Sequence, residues 1–227
     1  MGKPEFLEWL AFNLGPLHVG TTVLSTWLLM AVMTGLAWLG TRRLSVQSPS
    51  RLQMALEGTV LALRQAIEDN APGHAARLLP FIGTLWLFIA AANLMGLVPG
   101  LRSPTGDLSL TVALALLVFA SVHWFGIRID GLRSYLKHYL EPNPILLPFH
   151  LLGEVTRTLA LAVRLFGNMM SLEMAALLVL LVAGFLAPVP LLMLHIVEAL
   201  VQAYIFGTLA LVYVAGALQS QELNKKE

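Results

Sequence analysis

The chain has 227 residues, of which 57% are hydrophobic and 12% charged. Soluble domains carry about 25% charged residues, so this composition belongs to a membrane protein. A net charge of +1 gives no footprint for nucleic acid, and the lack of cysteine excludes disulfides, thiolate metal sites and thiol nucleophiles.

The first 20 residues hold two glutamates, one histidine and no long apolar core. No cleavable signal peptide is expected, and insertion rests on the first spanning helix. Residues 19–39 are uncharged over about 20 positions, the length that crosses a bilayer. Trp38 stands near one end, where interfacial aromatics sit. Residues 48–70 differ. Ser48 and Pro49 read as an N-cap and first helical position. Arg51, Glu57, Arg64, Glu68 and Asp69 interrupt Leu52, Leu56, Val60, Leu63 and Ile67. That pattern is amphipathic and too charged to span. It fits a surface or partner-facing helix, or a solvated linker helix.

A second spanning helix is predicted over 79–98, ending at Pro99-Gly100, and a third over 108–127. Ser103-Pro104-Thr105-Gly106 is turn chemistry, and Asp107 is placed to cap the third. Residues 145–186 contain no proline after Pro148. As one helix they would measure roughly 60 Å, twice the hydrocarbon thickness of about 30 Å. Residues 191–218 would measure roughly 40 Å. Ala187-Pro188-Val189-Pro190 separates the two. Either the first folds back on itself or both lie tilted, and the reading favoured is two continuous tilted helices. The expected fold is an all-α polytopic protein, a single membrane domain over 1–227. It has three roughly perpendicular spans, one amphipathic surface helix and a hairpin of two long tilted membrane helices.

Basic residues set the orientation. Arg42, Arg43, Arg51, Arg64 and Arg77 lie between spans one and two, and Arg128, Arg133 and Lys137 follow span three. The loop between spans two and three has only Arg102, and the N-terminal segment only Lys3. The N-terminus is expected outside and the C-terminus in the cytoplasm.

Arg164 lies deep within the first long apolar segment. Arginine stays charged, and a cation at membrane depth costs at least a few kcal/mol. No acid sits three or four residues from it in either direction. Its counter-charge must come from elsewhere in the chain or from another subunit. At 100° per residue, Arg157, Leu161, Arg164 and Asn168 share a stripe. Glu173 falls on the opposite face, about 13 Å along the axis. Glu154 and Arg157, one turn apart, are spaced to pair. His195, Glu198 and Gln202 share a face of the last helix. Singly, Arg157 also reads as a snorkelling arginine, His195 as a packing histidine, and Gln202 and Asn168 as interhelical glue.

The run Arg164-Leu165-Phe166-Gly167-Asn168-Met169 resembles the signature of subunit a of F-type ATP synthases, the membrane stator of a rotary motor. Asn93-Leu94-Met95-Gly96-Leu97-Val98-Pro99 is similar to that family too, as are Pro104-Thr105-Gly106-Asp107-Leu108-Ser109-Leu110-Thr111, Gln202-Ala203-Tyr204-Ile205-Phe206 and Leu211-Val212-Tyr213. The likeness covers about 79–218 with order and spacing kept. It implies that Arg164 is the family's essential arginine and Gln202 the glutamine facing it. Glu173 and His195 then align with polar residues of an outside-facing half-channel. Glu198 falls where some members place a carboxylate, and Asn168 and Asn93 take matching polar positions. The family's last two helices are tilted around a ring of c subunits. Two departures stand out. His150 replaces an acid often found there, with Glu154 one turn later, and Ala160 replaces a small hydroxyl residue. The cytoplasmic access path is therefore expected to involve Glu154, Arg157, His150 or Thr158.

The resemblance implies partners, namely c-ring and peripheral-stalk b subunits in a bacterial inner membrane. It implies H⁺ or Na⁺ translocation, and no cofactor, metal or nucleotide chemistry in this chain. Rival classes fit less well. A secondary transporter would show inverted repeats, and no convincing repeat is present. An intramembrane metalloprotease needs His-Glu-x-x-His spacing, which the six histidines do not form. A purely structural assembly subunit leaves Arg164 without a purpose.

Overall fold

The computed structural model describes residues 12–14, 17–42, 44–45, 49–98, 101, 103–131, 147–183 and 189–224. A short ribbon comes first, β1 (Phe12–Leu14) paired antiparallel with β2 (Leu17–Val19). Then follow α1 (Thr21–Thr41), α2 (Arg51–Asn70), α3 (Ala75–Met95), α4 (Leu108–Asp130), α5 (Leu147–Ala183) and α6 (Val189–Asn224). A 3-10 turn, Pro104–Gly106, leads into α4. All helices but α2 are long and apolar enough to cross a membrane. The ribbon departs from the all-helical expectation. Phe-Asn-Leu and Leu-His-Val each alternate apolar, polar, apolar, the two-residue period of a strand.

Local chemistry sets the helix ends. Ser50, not Ser48, caps α2, and its hydroxyl accepts the Gln53 N–H at 3.2 Å. The Gln53 side chain bonds both Ser45 N–H and Ser45 C=O, at 3.0 and 3.1 Å, which pins that start. Ser48 lies outside the described residues. Helix α3 begins four residues before the expected 79. Ala75 and Leu78 are buried, while Arg77 stays exposed on the opposite side of the first turn. A charge that ends an apolar run therefore does not end the helix. Asp107 caps α4 as expected, accepting the Ser109 N–H at 2.9 Å. Gly131 closes α4 at φ 80°, where side chains are strained, and donates its N–H to Ile127 C=O at 2.9 Å.

The two long helices run unbroken over 37 and 36 residues, about 55 Å each. Of the expected break at 187–190, Val189 and Pro190 open α6 instead, and 187–188 lie outside the described residues, as do the outer ends 145–146 and 184–186. Helix α6 starts two residues earlier than expected and continues past 218 to Asn224.

The core is where α6 meets α3, α4 and α5. Ile82 and Ile89 of α3, Leu165 of α5, and Phe206 and Val214 of α6 are fully buried. Helix α6 packs most extensively on α3, and α5 on α4. At one crossing of α3 and α6 the Trp86 side chain lies against Gly207. A Cβ there would overlap the Trp86 indole. Trp86 Nε1 donates to Tyr204 C=O at 3.2 Å and its ring stacks on Tyr204 at 6.3 Å. Helix α1 is peripheral. Trp27, Leu36 and Trp38 are exposed on it, a surface suited to lipid tails. Its Ser25 and Thr26 hydroxyls turn back to the Thr21 and Thr22 carbonyls at 2.8 Å, which satisfies both within the helix.

Candidate functional site

Arg164 is exposed on α5. Among the described residues it makes no hydrogen bond and no ion pair. One turn on, Asn168 Nδ2 donates to Gln202 Oε1 of α6 at 2.7 Å. Gln202 is 1% exposed, and its Nε2 has no partner among the described residues. A buried amide with spare donors costs on the order of 1–3 kcal/mol. The expected stripe of α5 thus meets the expected face of α6 through one direct bond, with Arg164 beside it.

A second polar cluster joins α3, α6 and the 3-10 turn. His195 Nε2 lies 3.4 Å from Asn93 C=O. The Asn93 side chain donates Nδ2–H to Ala199 C=O at 3.1 Å and accepts from Thr105 Oγ1 at 2.6 Å. Ser103 Oγ contacts Thr105 Oγ1 at 2.6 Å and donates to Ala92 C=O at 3.0 Å. Asn93 and Thr105 are fully buried. The two hydroxyls bring two hydrogens to three oxygen contacts, so these contacts share their hydrogens. The Glu173 carboxylate lies over the bare Cα of Gly106. A Cβ there would sit 3.4 Å from both carboxylate oxygens. Beside it, Asp107 accepts from the Thr22 hydroxyl of α1 at 2.6 Å. Partial burial pushes the Asp107 carboxyl upward. Bonds from Thr22 and from the backbone and hydroxyl of Ser109 outweigh that and hold it below its ordinary value. Glu198 is half-buried, and the described contacts do not bring it to His195.

The third cluster lies on the other side of Arg164. Glu154 Oε2 is 3.5 Å from His123 Nε2 of α4. His123 Nδ1 is 2.9 Å from Phe119 C=O. Arg157 carries its guanidinium over the Tyr213 ring of α6, 5.7 Å from the centroid. The expected spacing of Glu154 and Arg157 therefore serves two different partners. Thr158 Oγ1 donates to Glu154 C=O at 2.9 Å. His150 lies in the first turn of α5, and its side chain is outside the described residues.

Along α5, Glu154 precedes Arg164 by ten residues and Glu173 follows by nine, about 15 and 13 Å of rise. The clusters are thus stacked along the helix with Arg164 between them. Sequence periodicity missed His123, Ser103 and the contact of Glu173 with Gly106. His123 could have been flagged as a titratable side chain within an apolar span. Its partner is set by helix packing, which spacing along one chain does not encode.

The family model described as ATP synthase A chain matches residues 23–215. The chain is 67% identical to ATP synthase subunit a 2 of Pelobacter propionicus, over 94% of this chain and 93% of that one. It is 64% identical to ATP synthase subunit a 1 of Hahella chejuensis, over 93% and 88%. It is 52% identical to ATP synthase subunit a of Legionella pneumophila, over 100% and 98%. With agreement running from the first spanning helix almost to the end of the last, this chain belongs to the ATP synthase A chain family, as a membrane subunit without nucleotide chemistry of its own.

Proposed function

We propose that the chain is the ion-translocating stator of an F-type ATP synthase in a bacterial inner membrane, working against a ring of c subunits and tied to peripheral-stalk b subunits. Helices α1, α3 and α4 cross roughly perpendicular to the bilayer and α2 lies at its surface. Helices α5 and α6 form a tilted antiparallel hairpin facing the ring. Their length beyond the hydrocarbon thickness supports the tilt. Asn168–Gln202 and Arg157–Tyr213 support the direction. Eleven residues separate the two contacts on each helix, in opposite chain senses. The N-terminus is outside and the C-terminus cytoplasmic.

Arg164 carries this reading. It is an exposed cation on an apolar helix, without a partner among the described residues. A fixed cation favours the ionised form of a carboxylate that approaches it. A ring carboxylate arriving at Arg164 releases its H⁺ or Na⁺. The same charge repels cations and keeps two offset half-channels from short-circuiting. Glu173, His195 and Glu198, with Asn168 and Gln202 nearest the arginine, line the outside-facing half-channel. Glu154, Arg157 and His150 line the cytoplasmic one. An ion then rides the ring from one to the other, and its gradient becomes torque. Each elementary charge gains about 2.3 kcal/mol per 100 mV.

The test is Arg164→Ala in the assembled complex, reconstituted in vesicles. Gradient-driven ATP synthesis should fall at least about 100-fold, with passive ion leak. Wild-type coupled synthesis in that variant would remove the basis of the assignment. Arg164→Lys keeps the charge, loses the planar fork, and should be severely impaired.

A further inference from the structure

Asp107 stands where α1, α4 and the 3-10 turn meet. Its Oδ2 accepts from the Thr22 hydroxyl of α1 at 2.6 Å. Its Oδ1 accepts from the Ser109 N–H at 2.9 Å and from the Ser109 hydroxyl at 2.8 Å. All three donors are neutral, so none cancels the charge of the carboxylate. Among the described residues no ion pair reaches Asp107, and the residue is half-buried. Partial burial pushes its carboxyl upward, but the three bonds outweigh this and hold it below its ordinary value. The residue before it is Gly106, and the Glu173 carboxylate lies over the Gly106 Cα. Helix α1 carries no charged residue from Thr21 to Thr41. The charged residues of α3 and α4, which are Arg77, Arg128 and Asp130, stand toward the far ends of those helices. Among the described side chains of these helices and α5, the charges nearest the 3-10 turn are therefore acidic.

We propose that Asp107 is the entry residue of the outside-facing half-channel, that its negative charge draws H⁺ or Na⁺ to the mouth ahead of Glu173, and that the Thr22 hydroxyl positions it there. This role rests on the function proposed above and adds two residues to its outside-facing path. In the orientation proposed there, the start of α1 and the turn before α4 both face outside. A fixed negative charge beside low-dielectric walls raises the local concentration of cations. Asp107 does this without binding the ion. The three neutral bonds fix where the field is centred and leave its strength intact, whereas a lysine or arginine partner would cancel it. Such a field reaches about one Debye length, which is about 30 Å at 0.01 M salt and about 3 Å at 1 M. Salt therefore erases an entry role, but it does not erase a capping or packing role.

The experiment uses the assembled complex in liposomes, oriented so that the lumen bathes the outside-facing half-channel. The lumen holds a fixed pH and a low, fixed NaCl concentration, so that either ion can drive synthesis. Luminal ionic strength is varied with choline chloride and balanced osmotically with sucrose. A potassium diffusion potential starts the reaction, and the initial rate of ATP synthesis is read. Asp107→Asn keeps a good N-cap and removes the charge. It should run roughly two- to fivefold slower than wild type at about 0.01 M luminal salt. The two should converge as that salt approaches about 1 M. Thr22→Val keeps the side-chain shape but frees the carboxylate, and should show part of the same salt-dependent deficit. Thr22→Ser, which keeps the donor, should not. In an Asp107→Asn background, Thr22→Val should add nothing. A wild-type rate in Asp107→Asn at low salt overturns the entry role. So does a deficit that high luminal salt leaves unchanged, or one that follows the salt of the bath instead. A wild-type rate in Thr22→Val overturns the positioning role of Thr22. If Asp107→Asn does not assemble, the two Thr22 variants decide by the same salt criterion. Arg164→Ala separates the two levels. Retained coupling there defeats the proposed function, whereas lost coupling with no salt-dependent deficit in Asp107→Asn defeats only the entry role.

Discussion

At Asp107, partial burial and hydrogen bonding pull in opposite directions, and three bonds win. The outcome has a pH signature. A carboxyl held below its unfolded value, 3.8, contributes its stability fully above that value. It loses the contribution as pH falls through the lower folded value. Asp107→Ala removes the cap of α4 and the tie to α1, and should cost about 1 kcal/mol at neutral pH. The gap from wild type should close in strongly acid solution. Thermal unfolding of the detergent-purified protein across that range checks it, and a gap that widened with acid would contradict the assigned direction. Asn168 and Gln202 teach a different lesson. Helical spacing showed the stripe on which each stands, and the resemblance set Gln202 opposite Arg164, but neither paired Gln202 with Asn168. Nor could the stripe say that Gln202 Nε2 is left over. That depends on how deep the α5–α6 seam closes.

Between elements, close approach is decided by the smallest residues. Gly207 faces the Trp86 indole, so Gly207→Ala must push α6 off α3 or turn the indole away from Tyr204 C=O. Overpacking of this kind costs typically 1–3 kcal/mol. The expected outcome is a lower unfolding temperature for Gly207→Ala, recovered in part when Trp86→Leu is added to make room. No recovery in the double variant would mean the glycine serves another purpose. Long apolar runs made the spanning helices readable, since few other structures use some 20 apolar residues in a row. The ends were harder. Arg77 suggested a boundary that Leu78 and Ala75 override by burial. Ser48 was expected to cap α2, and Ser50 does so, with Gln53 anchored on Ser45 at the same end. Pairings across helices, such as His123 with Glu154, were not readable at all. They follow from the relative rotation of α4 and α5, which no local pattern fixes.

For the whole molecule, an odd number of membrane crossings would put the two termini on opposite sides. The absence of cysteine makes this simple to measure. Lys3→Cys and Lys226→Cys, each made alone, introduce a single thiol. In intact right-side-out vesicles, a membrane-impermeant maleimide should label the first and spare the second. In inverted vesicles the pattern should reverse. Labelling of both from one side would refute the proposed orientation. The match of fold to sequence is greatest at this scale, because composition and apolar length alone place the chain in a bilayer. It is least for α2, whose exposed Leu52 and Leu61 fit lipid and partner equally well by pattern.

The α5–α6 seam also has a mechanical meaning. Arg157 is tied to Tyr213 seven residues before Arg164, and Asn168 to Gln202 four residues after it. A sideways push on the arginine therefore acts on a beam propped on both sides, not on a free end. Deflection between two props is smaller than at a free end, so the cation is held closer to one position. Cutting either prop leaves that stretch held on the α6 side by one contact instead of two. The charge would remain, but its address in the membrane would begin to wander.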